Sequence, residues 1–173
     1  MIAASIGTID SVYHTTTYAI GDSALGGTIA YILQPGDPGY SSRIQHGLII
    51  GEYVVLAYIP GPTYDVLGTS TAFGTGQSNT TAMLSYSPQT PNIADYANTY
   101  SNDGYSDWYA PSLQEVLKFI PNKTILGLGS GTQYWSSSNF NVDYAWYVNF
   151  VTDSYASDIE KYVPLGFCAV RSF

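Results

Sequence analysis

Apolar and polar positions along the chain change period several times, and each change marks an element. Thr28-Ile29-Ala30-Tyr31-Ile32-Leu33 is a β-branched apolar run that ends in the turn cluster Gln34-Pro35-Gly36-Asp37-Pro38-Gly39, which predicts a strand and a turn. Residues 46–50 and 53–59 are two further strand candidates, the second stopped by Pro60-Gly61-Pro62. Residues 61–80 are rich in Gly, Thr and Ser and read as a long ordered loop. The period then becomes helical. Ile93, Tyr96, Ala97 and Tyr100 share one face of residues 92–100. A second helix is better marked: Ser112-Leu113-Gln114-Glu115 matches a capping box after Pro111. Leu113, Val116, Leu117 and Ile120 follow at helical spacing, before Pro121 stops the helix. Lys118 and Lys123 near that end suit the helix dipole.

Past a Gly-rich stretch at 126–131, strands are expected at 134–137, 145–151 and 167–173. In the middle one, Trp146, Val148 and Phe150 alternate with Tyr147 and Asn149, the pattern of a half-buried strand. Residues 1–18 are rich in Thr, Ser and Ile without a helical period. They read as strands or as an attachment arm, so the chain divides into an arm at 1–19 and one domain at 20–173.

Composition narrows the function. A chain of 173 residues with 45% hydrophobic residues fits one domain with one core. Charged residues are only 10%, against roughly 25% in average soluble proteins. Tyrosine is over-represented, with 17 copies. It offers rigid contact area and a hydroxyl, which suits binding surfaces, although sheets also favour it. Net charge is −8, and the five cations (Arg43, Lys118, Lys123, Lys161, Arg171) are scattered. Such a chain cannot release many counterions, which argues against nucleic acid, anionic membranes and sulfated polysaccharides as partners. No stretch approaches the ~20 apolar residues of a membrane helix, so no membrane insertion is expected. Residues 1–20 lack a basic start and an apolar core, so they are not read as a signal peptide.

Catalytic chemistry is hard to assemble. Cys168 is the sole cysteine, which excludes an internal disulfide, and it lies in an apolar run at 167–170 as a small core residue. His46, between Gln45 and Gly47, reads as a hydrogen-bonded structural histidine, and His14 has only Asp10 near it. No motif pairs two acids: Glu115 is explained by capping and Asp107 by the turn before Trp108. Gly74-Thr75-Gly76 lacks the Lys-Ser/Thr ending of a phosphate loop. Arg171 reads as a scaffold donor or ion-pair partner, and Lys161 as similar or solvated. The chain is therefore expected not to be an enzyme.

The order of short motifs resembles one known family. Ile20-Gly21-Asp22, Gly26-Gly27, Ala30-Tyr31-Ile32, Gln45-His46-Gly47-Leu48-Ile49, Gly74-Thr75-Gly76-Gln77-Ser78-Asn79-Thr80, Gly104-Tyr105-Ser106-Asp107-Trp108-Tyr109, Pro111-Ser112, Tyr134-Trp135-Ser136-Ser137-Ser138, Ala145-Trp146-Tyr147-Val148-Asn149-Phe150 and Val170-Arg171-Ser172-Phe173 are similar to the C-terminal domain of a bacterial collagen-like adhesin, the Lcl C-terminal domain. The resemblance spans about residues 18–173. It implies an α+β, C-type-lectin-like fold: two helices flanking small twisted antiparallel sheets, with long ordered loops. That fold is shared with formylglycine-generating enzymes and with the variable proteins of diversity-generating retroelements, whose ligand surface lies in the closing segment.

By that resemblance the ligand-binding candidates are Ser138, Asn139, Asn141, Asp143, Tyr144, Tyr147, Asn149, Asp153, Tyr155, Asp158 and Tyr162, with Trp146, Val148 and Phe150 as interleaved scaffold. Tyrosine would supply contact area, and Asn, Ser and Asp adaptable hydrogen bonds. Such a composition is also what retroelement diversification produces. Formylglycine generation needs two cysteines for copper, and one is present. Gln34-Pro35-Gly36-Asp37 only imitates a lectin calcium triplet and is read as a turn. No cofactor is required, while a structural calcium would draw on Asp143, Asp153 and Asp158. The apolar run at 53–59 replaces a polar segment of the family and suggests a face buried by an oligomeric partner. The expected function is a surface recognition module, such as a phage tail or fibre tip or an adhesin head, on a virion or at the cell surface or outside the cell. Its partner would be a cell-surface glycan or protein receptor. The alternatives are a self-assembling fibre or virion decoration subunit and, less favoured, a glycan hydrolase.

Overall fold

The two apolar runs at 46–50 and 53–59 are joined in the structure, a computed structural model that describes residues 16–58, 65–86, 91–129 and 133–173. They form one strand, β3 (Gly47–Ala57), with a register shift between Ile50 and Tyr53. The extra residues there include Gly51, where a Cβ would stand 2.8 Å from the Tyr100 ring. A glycine at that bulge lets the ring close on the strand.

The other strands are β1 (Ser23–Ala24), β2 (Gly27–Ile32), β4 (Gln133–Asn139), β5 (Ala145–Asn149), β6 (Ser154–Ala156) and β7 (Pro164–Ser172). All seven lie in one sheet of order β1-β2-β3-β7-β4-β5-β6, antiparallel except for the short β4–β7 pairing. The expected small separate sheets are therefore one continuous sheet.

Strand alternation splits the core into two layers. Ile29, Ile49, Trp135, Tyr147, Phe167 and Ala169 belong to one layer, with Met83 of α1 (Gly76–Tyr86) and Ile93, Ala94 and Ala97 of α2 (Ile93–Thr99). Leu48, Ile50, Tyr134, Val148, Cys168 and Val170 belong to the other, with Leu113 and Val116 of α3 (Leu113–Leu117), Phe119 and Leu128. Cys168 is a core residue, and burial pushes its thiol up to about 12. The architecture is α+β, with three short helices where the sequence suggested two.

The additional helix, α1, begins inside the segment read as a loop. Its buried positions are Gly76, Asn79, Thr80 and Met83, mostly polar, so hydrophobic spacing does not reveal it. Hydrogen bonds satisfy that face instead: Asn79 Nδ2 donates to the Ser70 carbonyl (2.7 Å) and Ser137 Oγ (3.1 Å), and Thr80 Oγ1 accepts from the Ala110 amide (2.9 Å). The two expected helices carry full capping boxes, from Asn92 with Asp95 and from Ser112 with Glu115. Pro121 does not stop a long helix; α3 has already ended, and Pro121 lies in a 3₁₀ turn over Ile120–Asn122.

Long-range polar ties fix the loops. Lys118 and Lys123 serve as ion-pair partners as well as lying near a helix end. Lys118 Nζ meets Asp37 at 2.7 Å, and Asp37 also closes the 34–39 turn by accepting the Gln34 amide at 2.8 Å. Lys123 pairs with Asp153 and donates to the Phe150 carbonyl at 2.7 Å. Arg171 grips Asp107 through two bonds of 2.6 and 3.0 Å, donates to the Leu25 carbonyl and lies 4.0 Å over the Tyr105 ring. That guanidinium holds the Asp107 carboxyl below the usual carboxylate range. His46 Nδ1 is 3.0 Å from the Phe173 carbonyl, a structural role.

Residues 1–15 of the expected arm lie outside the described residues. Tyr18 is held to the domain by two bonds to the Gln45 amide, at 2.7 and 2.9 Å, and by an edge contact with the Phe173 ring. No helix among the described residues is long and apolar enough to cross a membrane.

Candidate functional site

The closing third of the chain folds as two hairpins, β4–β5 and β5–β6, followed by the 157–163 loop. Three of the Asn and Asp residues singled out from the sequence, Asn141, Asn149 and Asp153, build these turns. Asn141 Oδ1 accepts the amides of Asp143 and Tyr144, each at 2.9 Å, and closes the β4–β5 tip. Asn149 Oδ1 accepts the amides of Val151 (2.9 Å) and Thr152 (3.2 Å) and closes the next turn. Asp153, in the left-handed region at φ 53°, completes that turn beside Lys123. Asn139, half-buried, donates to Asp65 at 2.7 Å, and its Oδ1 is buried without a donor among the described residues.

Two candidates are scaffold rather than surface. Ser138 is fully buried; its hydroxyl accepts the Leu113 amide (3.0 Å) and donates to the Ser70 carbonyl (2.8 Å). Tyr147 is buried against Trp135, and its hydroxyl donates to Asp158 at 2.8 Å. Its position on β5 is the reason: Tyr147 pairs with Trp135 and Ala156, so it points into the α1–α2 layer. Burial first, then Asp158, raises the Tyr147 hydroxyl above its ordinary range.

Tyr144 is half-buried and bridges to Glu160. Asp143 and Asp158 are exposed. Tyr155 and Tyr162 are the candidates that present rings outward, at 52% and 54% exposure.

The structure adds two rings to this face: Phe140, not singled out from the sequence, and Trp146, read there as scaffold. Phe140 at the β4–β5 tip is 51% exposed, and its ring meets Trp146 at 5.2 Å between centroids. Trp146 in turn meets Tyr155 at 5.7 Å. The pairing of Val148 with Tyr155 places Tyr155 on the α3 side of the sheet, the side to which Trp146 also points. α3 and the segment after it, through Phe119, Ile120, Leu126 and Leu128, pack on that layer, while Phe140 and Tyr155 stay about half exposed at the ends of the row Phe140–Trp146–Tyr155. Alternation in the sequence marks Trp146 as apolar-facing, but only the tertiary contacts show that Phe140 and Tyr155 flank it.

Beneath the β4–β5 tip lies Lys161, fully buried. Its ammonium donates to the carbonyls of Asn141 and Val142, and its amide to the Asp143 carbonyl at 3.0 Å. Burial pushes the Lys161 amine down to about 8, against the opposing pull of Asp65 and Asp143. The solvated alternative for this lysine is thus set aside.

Asp143, Asp153 and Asp158 do not assemble into a ligand set. Asp153 pairs with Lys123 and Asp158 takes the Tyr147 hydroxyl. Among the described residues no group of three His, Cys, Asp or Glu side chains is placed to hold a metal ion.

A polar cleft of about 660 Å³ lies at the opposite end of the strand order, between the β1–β2 hairpin, Glu52 and the 100–103 turn. Its Gly27 is dictated by packing, because a Cβ there would stand 2.4 Å from the Ile50 carbonyl.

No protein-family model matches the chain, and no curated protein is significantly similar to it. Among solved structures, a fimbrial protein from Bacteroides ovatus shares the fold with a TM-score of 0.62 at 15% identity. The likeness covers 84% of this chain and 43% of that protein, so this chain spans less than half the length of its structural neighbour. At this identity the likeness speaks to the fold alone.

Proposed function

We propose that this chain is a non-enzymatic, surface-displayed recognition module of C-type-lectin-like type, and that it meets its partner through the outer face of the β4–β5–β6 hairpins. The observation that carries the reading is the exposure of three aromatic rings in this segment, Phe140 beside the Asn141 turn, Tyr155 on β6 and Tyr162 in the following loop, with the two hairpin turns fixed by asparagine side chains. Rigid aromatic anchors lose little entropy on contact, which is what a recognition surface needs. The ordered motif resemblance to the Lcl C-terminal domain supports the same reading, as does a structural neighbour described as fimbrial, a surface setting. A virion or cell surface is the proposed location, and a glycan or protein receptor the proposed partner.

A catalytic reading has less to draw on. Glu115 is committed to its cap, Asp37 and Asp107 to ion pairs, and His46 faces a backbone carbonyl. The structural alternative has one specific support. Beyond Ile50, β3 has β7 on one side and no described strand on the other, and Tyr53 and Val55 are 45% and 55% exposed. An apolar open edge of this kind favours assembly with another chain.

The labelled protein, applied to glycan arrays and to arrays of cell-surface proteins, is expected to bind at least one ligand. A double variant, Tyr155→Ala with Tyr162→Ala, is expected to lose about tenfold or more in affinity while keeping its thermal transition. Unchanged binding by the folded double variant would contradict the assignment of this face.

A further inference from the structure

We infer that Phe140, Trp146 and Tyr155 form a stacking subsite for uncharged pyranose rings, so that the ligand class of this face is a neutral glycan. The inference rests on the reading of that face as a contact surface and goes on to name what it touches. Three separate chain segments, the β4–β5 tip, β5 and β6, each contribute one ring, and the rings touch in sequence at 5.2 and 5.7 Å. The outer two are half exposed although neighbouring apolar side chains on the same face are buried under α3. Left in water, each ring forgoes burial worth about 25 cal/mol per Å² of apolar area.

The chemistry of the row selects the ligand. A pyranose presents polarised C–H groups on its flat face, and these meet the electron-rich face of an aromatic ring favourably. Its hydroxyls stay at the margin, where Asn141 and Asp143 follow Phe140 in the chain and Thr152 and Ser154 precede Tyr155.

Charge then excludes the acidic glycans. Lys118, Lys123 and Arg171 are held in ion pairs, and Lys161 is buried under the tip. Arg43, the remaining cation, lies by the Ile32–Leu33 end of β2, away from β5 and β6 in the strand order. With a net charge of −8 and no cation free beside the row, sulfate and uronate groups find repulsion rather than a partner. The two outer rings stand at 80° and 59° to the indole rather than parallel to it. Rings in different planes suit different sugar units, so an oligosaccharide is expected to bind more tightly than its monomer.

Tryptophan fluorescence reads this subsite directly, because Trp108 and Trp135 are buried whereas Trp146 is only partly buried and touches both outer rings. The protein is applied to an array of neutral hexose and N-acetylhexosamine chains with heparin and hyaluronate as charged controls, and hits are titrated in solution. Retention of a neutral chain is expected, with a change in emission that Trp146→Phe removes. Trp146→Ala and Tyr155→Ala lose about tenfold or more in affinity, whereas Tyr155→Phe, which keeps the ring, loses less than about threefold. Preference for heparin or hyaluronate overturns the inference, and so does an array with no neutral hit. If the neutral array is blank but a protein ligand is bound and lost in Tyr155→Ala with Tyr162→Ala, the contact face stands and the sugar subsite falls. Hits that survive all ring substitutions overturn both.

Discussion

Glu115→Ala is expected to destabilise the domain by about 3 kcal/mol or more, while Glu115→Gln costs about 1 kcal/mol or less. Glu115 is fully buried, and its carboxylate accepts the Ser112 amide at 2.6 Å and the Tyr109 hydroxyl at 3.3 Å. It also lies against the start of α1, where a Cβ on Gly76 would stand 2.4 Å from Oε2. Alanine would orphan the buried Ser112 amide, take from the Tyr109 hydroxyl one of its two partners and leave a void between α1 and α3, and losses of this kind cost about 1–3 kcal/mol each. Glutamine keeps an oxygen for the Ser112 amide. Its NH₂ can donate to the Tyr109 oxygen, whose proton turns to Ser172 Oγ, already 3.0 Å away.

The charge change also helps glutamine. Burial raises the Glu115 carboxyl above its ordinary range despite the hydrogen bonds that oppose it. A raised acid binds protons more tightly when folded, so its charged form works against the fold at neutral pH, and stability from this group is regained as pH falls. Urea denaturation at neutral pH compares the two variants. Equal losses would show that the carboxylate, not the hydrogen-bond geometry, is what the fold needs.

Lys161→Ala is expected to cost about 3 kcal/mol or more, because a fully buried side chain is deleted and the Asn141 and Val142 carbonyls lose their donor. The informative comparison is Lys161→Met, which keeps most of the volume but cannot donate. The Lys161 amine is pushed down to about 8 in the fold, against about 10.4 in an unfolded chain. Between those values the unfolded chain holds more protons, so the wild type gains stability as pH rises through this window. Lys161→Met lacks the effect. Its deficit relative to wild type is therefore expected to widen by about 1–2 kcal/mol between pH 7.5 and pH 10. The neutral amine still has two protons for the two carbonyls, so the tip does not open as the charge is lost. A deficit that stays flat over this range would contradict the burial of the ammonium beneath the tip.

What the sequence made legible follows the physical origin of each signal. Local chemistry read through well: the Asn92 and Ser112 helices start where expected, and the 34–39 turn is closed by Asp37. Apolar periodicity located β2, β5 and β7. It failed for α1, whose buried face is glycine, asparagine and threonine satisfied by hydrogen bonds rather than by apolar packing. It also divided β3 in two, because the bulge at Gly51 breaks the alternation without breaking the strand.

The candidate surface was legible as a region and less so as residues. Polar residue types pointed to 138–162, yet Ser138 turned inward to hold the Leu113 amide and Asn141 and Asn149 went to close turns. Strand parity placed Tyr147 in the core, a choice set by its pairing with Trp135 and not by its own type. Trp146 was the reverse case. An apolar-facing residue joins a surface row through its contacts with Phe140 and Tyr155, which come from two other segments and leave no mark in the local period.

If the outer β4–β5–β6 face touches a ligand outside the molecule, its backbone amides are shielded in the complex. Amide hydrogen exchange on the intact protein, with and without the tightest ligand retained on the arrays, tests it most directly. Added protection is expected to concentrate at residues 140–146 and 153–157. Protection centred instead on the open edge of β3 at residues 51–57, or on the polar cleft at residues 100–103, would contradict it.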